Sequence, residues 1–321
     1  TGAYDVFTIS GINPHYLLYY YLSLDDVKAM SPLYTGLRKV IGMSTFLQTP
    51  LPLPHRDEQD QIVRYLDWKV SGINRLINVK KKQVELLKEQ KRAVINATVR
   101  RGGEKWKQRR LKTLVNDTNE KDSPKGKFYI GMENIVSWTG CYIDTGVVVD
   151  SDSKRFKQGD VLFGKLRPYL AKAYVPDVDG VCSGEFLVLR GFDGDLNFLK
   201  YYLLSYDFIM LVNASTYGAK MPRANWEFIG SCIIHLPPPP EQQAIVAELD
   251  DKCSKIDRLI TSTEQQITLL HECRTRLISD VVTGKLDVRS VAIPEYEAVE
   301  ETAESEDVEG EEELDEETGD V

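Results

Sequence analysis

Two stretches of the chain repeat apolar residues at alternating spacings of four and three positions. This spacing is typical of helices that pair as a coiled coil. The helix-pairing residues that it predicts are Ile73, Ile77 and Leu87 in the first stretch and Ile256, Ile260 and Leu270 in the second. Because so narrow a stripe does not stabilise an isolated helix, we expect the two stretches to pair with each other as an antiparallel coiled coil.

The two stretches are also copies of each other. Residues 58–102 and 241–285 are identical at 18 of 45 positions without a gap. Prolines and acidic residues precede or open both copies, and glycines follow both, which are the signals of helix starts and ends. They predict helices at about 57–101 and 240–283, in an architecture that alternates helices with globular units.

The repetition continues upstream at an offset of 182 positions, where Tyr19 and Tyr20 align with Tyr201 and Tyr202. On this alignment the first globular unit lacks about as much chain as residues 103–182 supply in the second. We therefore expect the sequence to be an N-terminally truncated fragment of a longer protein.

This organisation predicts an α/β protein in which mixed α/β domains alternate with two long helices. The expected segments are 1–54 (the end of a first domain), 55–102 (first long helix), 103–236 (second domain), 237–286 (second long helix) and 287–321 (an acidic, disordered tail). Apolar runs between Gly and Asp turns predict strands in the second domain at 128–130, 146–149, 161–163, 171–175 and 186–189, and a helix at 197–213.

Charge is divided unevenly along the chain. The net charge is −9, but 15 of the 49 acidic residues lie within 291–321, which leaves 40 basic against 34 acidic residues in the rest. A basic body favours a polyanionic partner, although a solvated charged helix face explains the charge equally well. A tail so acidic and poor in aromatic residues is typical of disorder.

Other features of composition indicate a cytoplasmic protein that binds no metal or cofactor. The five cysteines lie far apart and form no CxxC motif, as expected of reduced thiols. No apolar run approaches the roughly 20 residues of a membrane-spanning helix.

Two basic segments of the second domain carry the candidate nucleic-acid contacts. Arginine and lysine on rigid loops can hydrogen-bond guanine edges, and asparagine can bond adenine. The candidates are Lys165, Arg167, Tyr169 and Lys172 in segment 159–175, Lys220, Arg223 and Asn225 in segment 216–226, and Arg38 and Lys39 in the first domain.

At these motifs the chain resembles the specificity subunits of Type I restriction–modification systems. The resemblance covers nearly all of residues 1–290. It rests on LPLP and LPPPPEQ before the two helices, INRLI and IDRLI inside them, LISDVVTGKLDVR at the end of the second, and KLRPYL, GVCSGEFLVLR and YGAKMPR in the second domain. It implies two target-recognition domains, each followed by a long helix, that read a bipartite site in double-stranded DNA.

The resemblance also implies partners, because two modification (methyltransferase) subunits dock along the helices of such proteins and restriction subunits join through the complex. The chain itself is expected to be non-catalytic. It has no GxxxxGK(S/T) phosphate loop and no methyltransfer motif, and its four histidines are scattered. Asp152 and Lys154 match only half of a nuclease motif.

Two other functions stay open at this level. One is the specificity region of a fused restriction–methyltransferase enzyme whose catalytic half is missing. The other is a coiled-coil scaffold with incidental nucleic-acid binding. The length of the full reading frame separates the first from a specificity subunit, and dependence of binding on DNA sequence separates the second.

Overall fold

The structure, a computed structural model, describes residues 6–26, 28–36, 40–102, 105–146, 153–218 and 220–302. Its helices are α1 (Pro14–Asp26), α2 (Met43–Leu47), α3 (Arg56–Arg100), α4 (Leu196–Leu203), α5 (Tyr206–Ala214), α6 (Trp226–Ser231) and α7 (Pro239–Val282). Its strands are β1 (Lys107–Arg110), β2 (Asn116–Thr118), β3 (Lys121–Asp122), β4 (Tyr129–Ile130), β5 (Ser153–Phe156), β6 (Val161–Gly164), β7 (Ala173–Tyr174), β8 (Gly180–Cys182), β9 (Phe186–Arg190) and β10 (Ile233–Leu236). The predicted α/β class is confirmed.

The two long helices begin and end where their local signals predict. α3 contains 45 residues and α7 contains 44. Acidic side chains lie in the first turn of each, where they favour the positive end of the helix dipole. α7 ends at Val282. Gly284, just beyond it, has a φ of 74°, the left-handed conformation expected of a glycine cap, and the Leu286 N–H donates to the Asp280 carbonyl at 2.8 Å.

The chain divides into two compact units, and each long helix contributes to both. Unit 1 holds the described residues up to Val84 and from Ser262 onward, and unit 2 holds Glu85–Thr261. The positions that follow the alternating spacing of four and three form the seam, the line along which the two helices are expected to pair. All of these positions are buried or half-buried: Leu66, Val70, Ile73, Ile77, Lys80, Val84, Leu87, Lys91, Val94 and Thr98 on α3, and Leu249, Cys253, Ile256, Ile260, Thr263, Ile267, Leu270, Arg274, Leu277 and Val281 on α7.

In unit 1, α1 packs with the first half of α3 and the last turns of α7. Tyr16 and Leu66 are fully buried there in one apolar cluster with Val281. Arg274 donates a hydrogen bond to Asn74 at 2.8 Å. Leu66 lies with Val281, whereas Asn74, further along α3, contacts Arg274, which is earlier in α7. The two helices of this unit therefore run antiparallel.

In unit 2, the remaining halves of the two helices also run antiparallel. The Lys91 amino group lies 2.7 Å from the Asp257 carboxylate, and Arg101 pairs with Glu248 nearer the start of α7. Ile95 of α3 lies in a large cluster that includes apolar residues of α7, α4 and α5. Strands β6, β7 and β9 contribute to the same cluster, whereas β4, β5 and β8 pack in a second apolar cluster with the other face of β6 and β9.

Unit 2 contains two four-stranded sheets and one strand pair. One sheet has the order β2-β9-β6-β7 and is antiparallel throughout. The other has the order β3-β5-β8-β4, with β4 parallel to β8. Strand β6 is buried at all four positions, as its continuous run of apolar residues predicts. β1 pairs with β10 in antiparallel register.

Three expectations differ from the structure or fall outside the part described. The helix predicted at 197–213 is two helices, because Ser205 has an extended ψ of 143° and its hydroxyl donates to the Tyr202 carbonyl at 2.6 Å. Of the strand predicted at 146–149, residues 147–149 lie outside the described residues. Of the tail predicted to be disordered, residues 287–302 lie against α3, and residues 303–321 lie outside the described residues.

Candidate nucleic-acid interface

The two basic segments predicted from the sequence lie side by side in unit 2. Leu166 and Arg223 form an isolated antiparallel bridge. The Arg167 N–H donates to the Pro222 carbonyl at 2.7 Å, and the Ala224 N–H donates to the Lys165 carbonyl at 3.0 Å. Backbone hydrogen bonds therefore hold the two segments in one fixed arrangement.

The turn that carries Arg167 uses backbone conformations that are rare outside glycine. Arg167 has a φ of 47° and Ala171 a φ of 48°, on either side of a short 3-10 turn at Pro168–Leu170. Left-handed conformations cost non-glycine residues free energy and persist where the surrounding structure fixes them. They orient the turn between β6 and β7, and Tyr169 at its tip is 37% exposed.

Arg223 is held by a carboxylate in the neighbouring loop. Its Nε and Nη2 donate to the two oxygens of Glu185 at 3.1 and 3.0 Å. This pairing, by hydrogen bond and charge, raises the pKa of Arg223 above its ordinary value. A bidentate pair fixes the plane of the guanidinium and offsets part of its charge.

The other candidates have varied environments. Lys172 is half-buried, and its amino group donates to the Met132 carbonyl at 2.8 Å. Asn225 caps α6, where its side-chain oxygen accepts from the Phe228 N–H at 2.8 Å. Lys220 is exposed. Arg38 and Lys39 lie outside the described residues.

A cleft of about 450 Å³ opens between these segments and the sheets of unit 2. Lys121, Lys154, Lys165 and Arg223 line it together with the aromatic ring of Trp226. Acidic side chains from β2 and α6 also reach it, so its lining is basic in balance but mixed in charge. Such a cleft can receive a phosphate or a base edge.

Lys154, like Lys121, is a cation of the cleft that sequence reasoning did not place at the nucleic-acid site. Its side chain is buried, and its amino group donates to the Phe186 carbonyl at 3.0 Å. Burial lowers the pKa of Lys154, and the nearby charge of Asp117 opposes that shift. Asp152, its partner in the half nuclease motif, lies outside the described residues, and Lys154 engages a backbone carbonyl.

Within the described ranges, no cluster of three or more His, Cys, Asp and Glu side chains is arranged to hold a metal ion. Within the same ranges, no helix is long and apolar enough to cross a membrane.

The fold and the cleft together define a mixed α/β protein with paired long helices and a cleft whose lining is basic in balance. Residues 103–269 match the family model described as Type I restriction modification DNA specificity domain, and the chain belongs to this family. The resemblance inferred from the motifs is therefore confirmed.

A curated relative is a protein of the same kind. Over 190 residues the chain is 22% identical to the Type I restriction enzyme EcoDI specificity subunit of Escherichia coli. This match covers 56% of this chain and 42% of that protein. The chain thus spans less than half the length of this curated relative.

One solved structure supports the fold, and a second is a weaker match. A structure from work on complex assembly and conformational transition of the type I R-M system matches with a TM-score of 0.66 and 15% identity, covering 86% of this chain and 72% of that one. The crystal structure of the HsdS subunit from Thermoanaerobacter tengcongensis matches with a TM-score of 0.44 and 19% identity, covering 84% of this chain and 69% of that one.

Proposed function

We propose that this chain is a non-catalytic, cytoplasmic specificity subunit that reads double-stranded DNA through the joined basic segments of unit 2 and the cleft beside them. The observation that carries the proposal is the fixed junction of the two basic segments, within the region that matches the specificity family. Rigid cations beside an aromatic ring suit base readout, because a preorganised side chain loses little entropy on binding.

Arg167 is the sharpest test of base readout. Its backbone is fixed, so replacement by alanine removes the guanidinium and leaves the turn in place. In selection from random duplexes with the purified complex, Arg167→Ala should relax one position of the recovered site and cost about 1–3 kcal/mol on the preferred duplex. Lys157→Ala, at an exposed lysine outside both basic segments, is the matched control and should leave the site unchanged.

An equal loss on all duplexes for Arg167→Ala would contradict base readout and leave only electrostatic attraction. Binding that ignores sequence even in the unaltered chain would favour the coiled-coil scaffold. A reading frame with several hundred additional residues would favour the fused restriction–methyltransferase enzyme. With both recognition domains complete, the target should consist of two half-sites separated by a gap of fixed length.

The helices also carry exposed leucines at repeat-equivalent positions, which supports docking of two modification subunits. Leu76 and Leu259 are 53% and 55% exposed, and Leu86 and Leu269 are 56% and 61% exposed. The heptad spacing places them beside the buried seam, on one side of each helix. Each unit contains one such leucine from each helix, as expected if each binds one copy of the same partner.

Substitution of these leucines tests the docking. Leu76→Asp with Leu269→Asp should remove one modification subunit from the purified complex, as should Leu86→Asp with Leu259→Asp. All four together should remove both copies, and restriction subunits should be lost with them. Leu211→Asp, at another exposed leucine, is the control, and retention of both partners by the fourfold variant would contradict the assignment.

A further inference from the structure

The segment that follows α7 lies along α3 in unit 1. The side chains of α3 that hydrogen-bond its backbone recur at helical spacing: Gln61, Ser71, Asn74 and Asn78. The Ser71 hydroxyl donates to the Glu297 carbonyl at 2.9 Å and accepts from the Val299 N–H at 2.8 Å. Asn78 donates to the Glu300 carbonyl at 2.9 Å. These bonds to main-chain groups recognise an extended peptide.

One acidic side chain of this segment reaches a group of cations. The Glu301 carboxylate lies 2.7 Å from the Lys81 amino group and 2.7 Å from Arg274. His271 Nε2 lies 3.5 Å from the same carboxylate. Charge-assisted hydrogen bonds of this length are among the stronger polar contacts in proteins.

The internal repeat shows why a carboxylate is needed at this place. Arg274 corresponds to Lys91 and Asn74 to Asp257, both at the repeat offset of 183 positions. In unit 2 the seam cation Lys91 pairs with the carboxylate of Asp257 on the partner helix. In unit 1 the corresponding residue is the neutral Asn74, and Glu301 provides the carboxylate for Arg274.

We propose that this side of α3 is a binding site for an extended acidic peptide, that residues 287–302 occupy it, and that Glu301 supplies the counter-charge which the helix repeat of unit 1 lacks. The backbone of the peptide is recognised by serine and asparagine, and its carboxylate by two cations and a histidine. The site is distinct from the exposed leucines Leu76 and Leu86 of α3, because its residues lie on the opposite side of the seam in the heptad.

The first test uses the full chain and measures amide hydrogen exchange of residues 289–302. Glu301→Gln should speed exchange of this segment about tenfold, because it removes a charged partner of both Lys81 and Arg274. Glu295→Gln removes an exposed charge from the same segment and should change exchange less than about twofold. Equal exchange in the Glu301→Gln variant and the unaltered chain would overturn the site.

The second test copies the arrangement of unit 2 into unit 1. Asn74→Asp places a carboxylate on α3 itself, so it should restore most of the stability that Glu301→Gln loses. The measurement is the midpoint of chemical unfolding for the two single variants and the double variant. If the double variant is no more stable than Glu301→Gln alone, Glu301 is not the missing counter-charge and the proposal fails.

The third test asks whether the site accepts the peptide as a ligand. A synthetic peptide of residues 287–302 should bind the full-chain Glu301→Gln variant, displacing the altered segment. The same peptide carrying Glu301→Gln should bind about tenfold more weakly. Binding of both peptides with equal affinity would show that the acid is not recognised. Binding of neither at peptide concentrations above the roughly millimolar effective concentration of the tethered segment would show that no such site exists.

Discussion

The two units solve the same packing problem with different chemistry. In unit 2 the seam between the helices is closed by a carboxylate and an amino group that the helices themselves provide, Asp257 and Lys91. In unit 1 the cation Arg274 instead meets Glu301, which comes from beyond the end of α7. The difference teaches that a repeat can lose a charge in one copy when another part of the chain restores it.

Around this difference the two units keep a common set of contacts. The Tyr19 hydroxyl donates to Asp67 at 2.7 Å in unit 1, and the Tyr201 hydroxyl donates to Asp250 at 2.6 Å in unit 2. In both units the tyrosine belongs to a globular part and the aspartate to a long helix. The following predictions test this equivalence, from the largest expected effect to the smallest.

Loss of a core leucine should be equally damaging in the two units. Leu66 and Leu249 are repeat equivalents, and both are fully buried. Leu66→Ala and Leu249→Ala should each lower the free energy of unfolding by about 3 kcal/mol, because each leaves a cavity. Chemical denaturation measures the loss, and Leu76→Ala, at an exposed site, should cost under about 0.5 kcal/mol. A large loss from Leu249→Ala alone would break the equivalence.

A buried glutamine ties each globular part to the start of its helix. Gln59 accepts from the Asn13 N–H at 2.8 Å, and Gln242 accepts from the Asp195 N–H at 2.9 Å. Each also donates to the carbonyl of a proline five residues upstream, at 2.9 Å. Gln59→Met and Gln242→Met should each cost about 2 kcal/mol in denaturation, because they leave buried polar groups unpaired.

Gln243→Met changes an exposed neighbour and should be close to neutral. Hydrogen exchange of α1 and α4 should locate each of the two losses within its own unit. Faster exchange of α4 in the Gln59→Met variant, with α1 unchanged, would contradict the local role of this glutamine.

The seam charge should separate the units. Asp257→Asn copies the Asn74 of unit 1 into unit 2, but no described tail segment bonds Lys91 there. It should cost about 1.5 kcal/mol in chemical denaturation, because the buried ammonium keeps an amide oxygen but loses its counter-charge. Asp251→Asn, in an exposed ion pair, is the control. An unchanged free energy of unfolding in the Asp257→Asn variant would show that unit 2 does not depend on its ion pair.

The tyrosine contacts should behave alike at high pH. Burial and the hydrogen bonds to Asp67 and Asp250 raise the pKa of Tyr19 and Tyr201 above the ordinary value of 10.0. A raised folded-state pKa means that the contribution to stability is full below pH 10.0 and declines as pH rises beyond it. Tyr19→Phe and Tyr201→Phe should each cost about 1 kcal/mol at pH 7.

The double variant should therefore lose less stability than the unaltered chain between neutral pH and pH above 10. Denaturation midpoints measured across this range give the comparison. Tyr217→Phe, at an exposed ring, serves as the control. Identical alkaline profiles for the double variant and the unaltered chain would exclude the two phenols as the source of the decline.

The long helices could be predicted from the sequence to within about a residue because their signals are local and occur twice. Proline and acidic residues mark the starts, glycine marks the ends, and the heptad spacing fixes the buried side. The join between the basic segments could be suspected only from their shared charge. It depends on the pairing of Leu166 with Arg223, which are distant in sequence.

Lys154 and the tail show what sequence patterns could not predict. Lys154 lines the cleft because β5 pairs with β8, and no local pattern specifies that register. The tail was predicted to be disordered from its composition. Composition does not record that Asn74 leaves Arg274 without a carboxylate, nor that Glu301 is near enough along the chain to provide one.

The tether between α7 and Glu301 limits how readily another acidic segment can compete for the site. The segment is anchored at Val288, which accepts a hydrogen bond from Gln61, so only about a dozen residues separate the anchor from the acid. A flexible tether of this length gives an effective local concentration of roughly millimolar. An acidic segment of another molecule would have to exceed that concentration, or bind more tightly, to displace it.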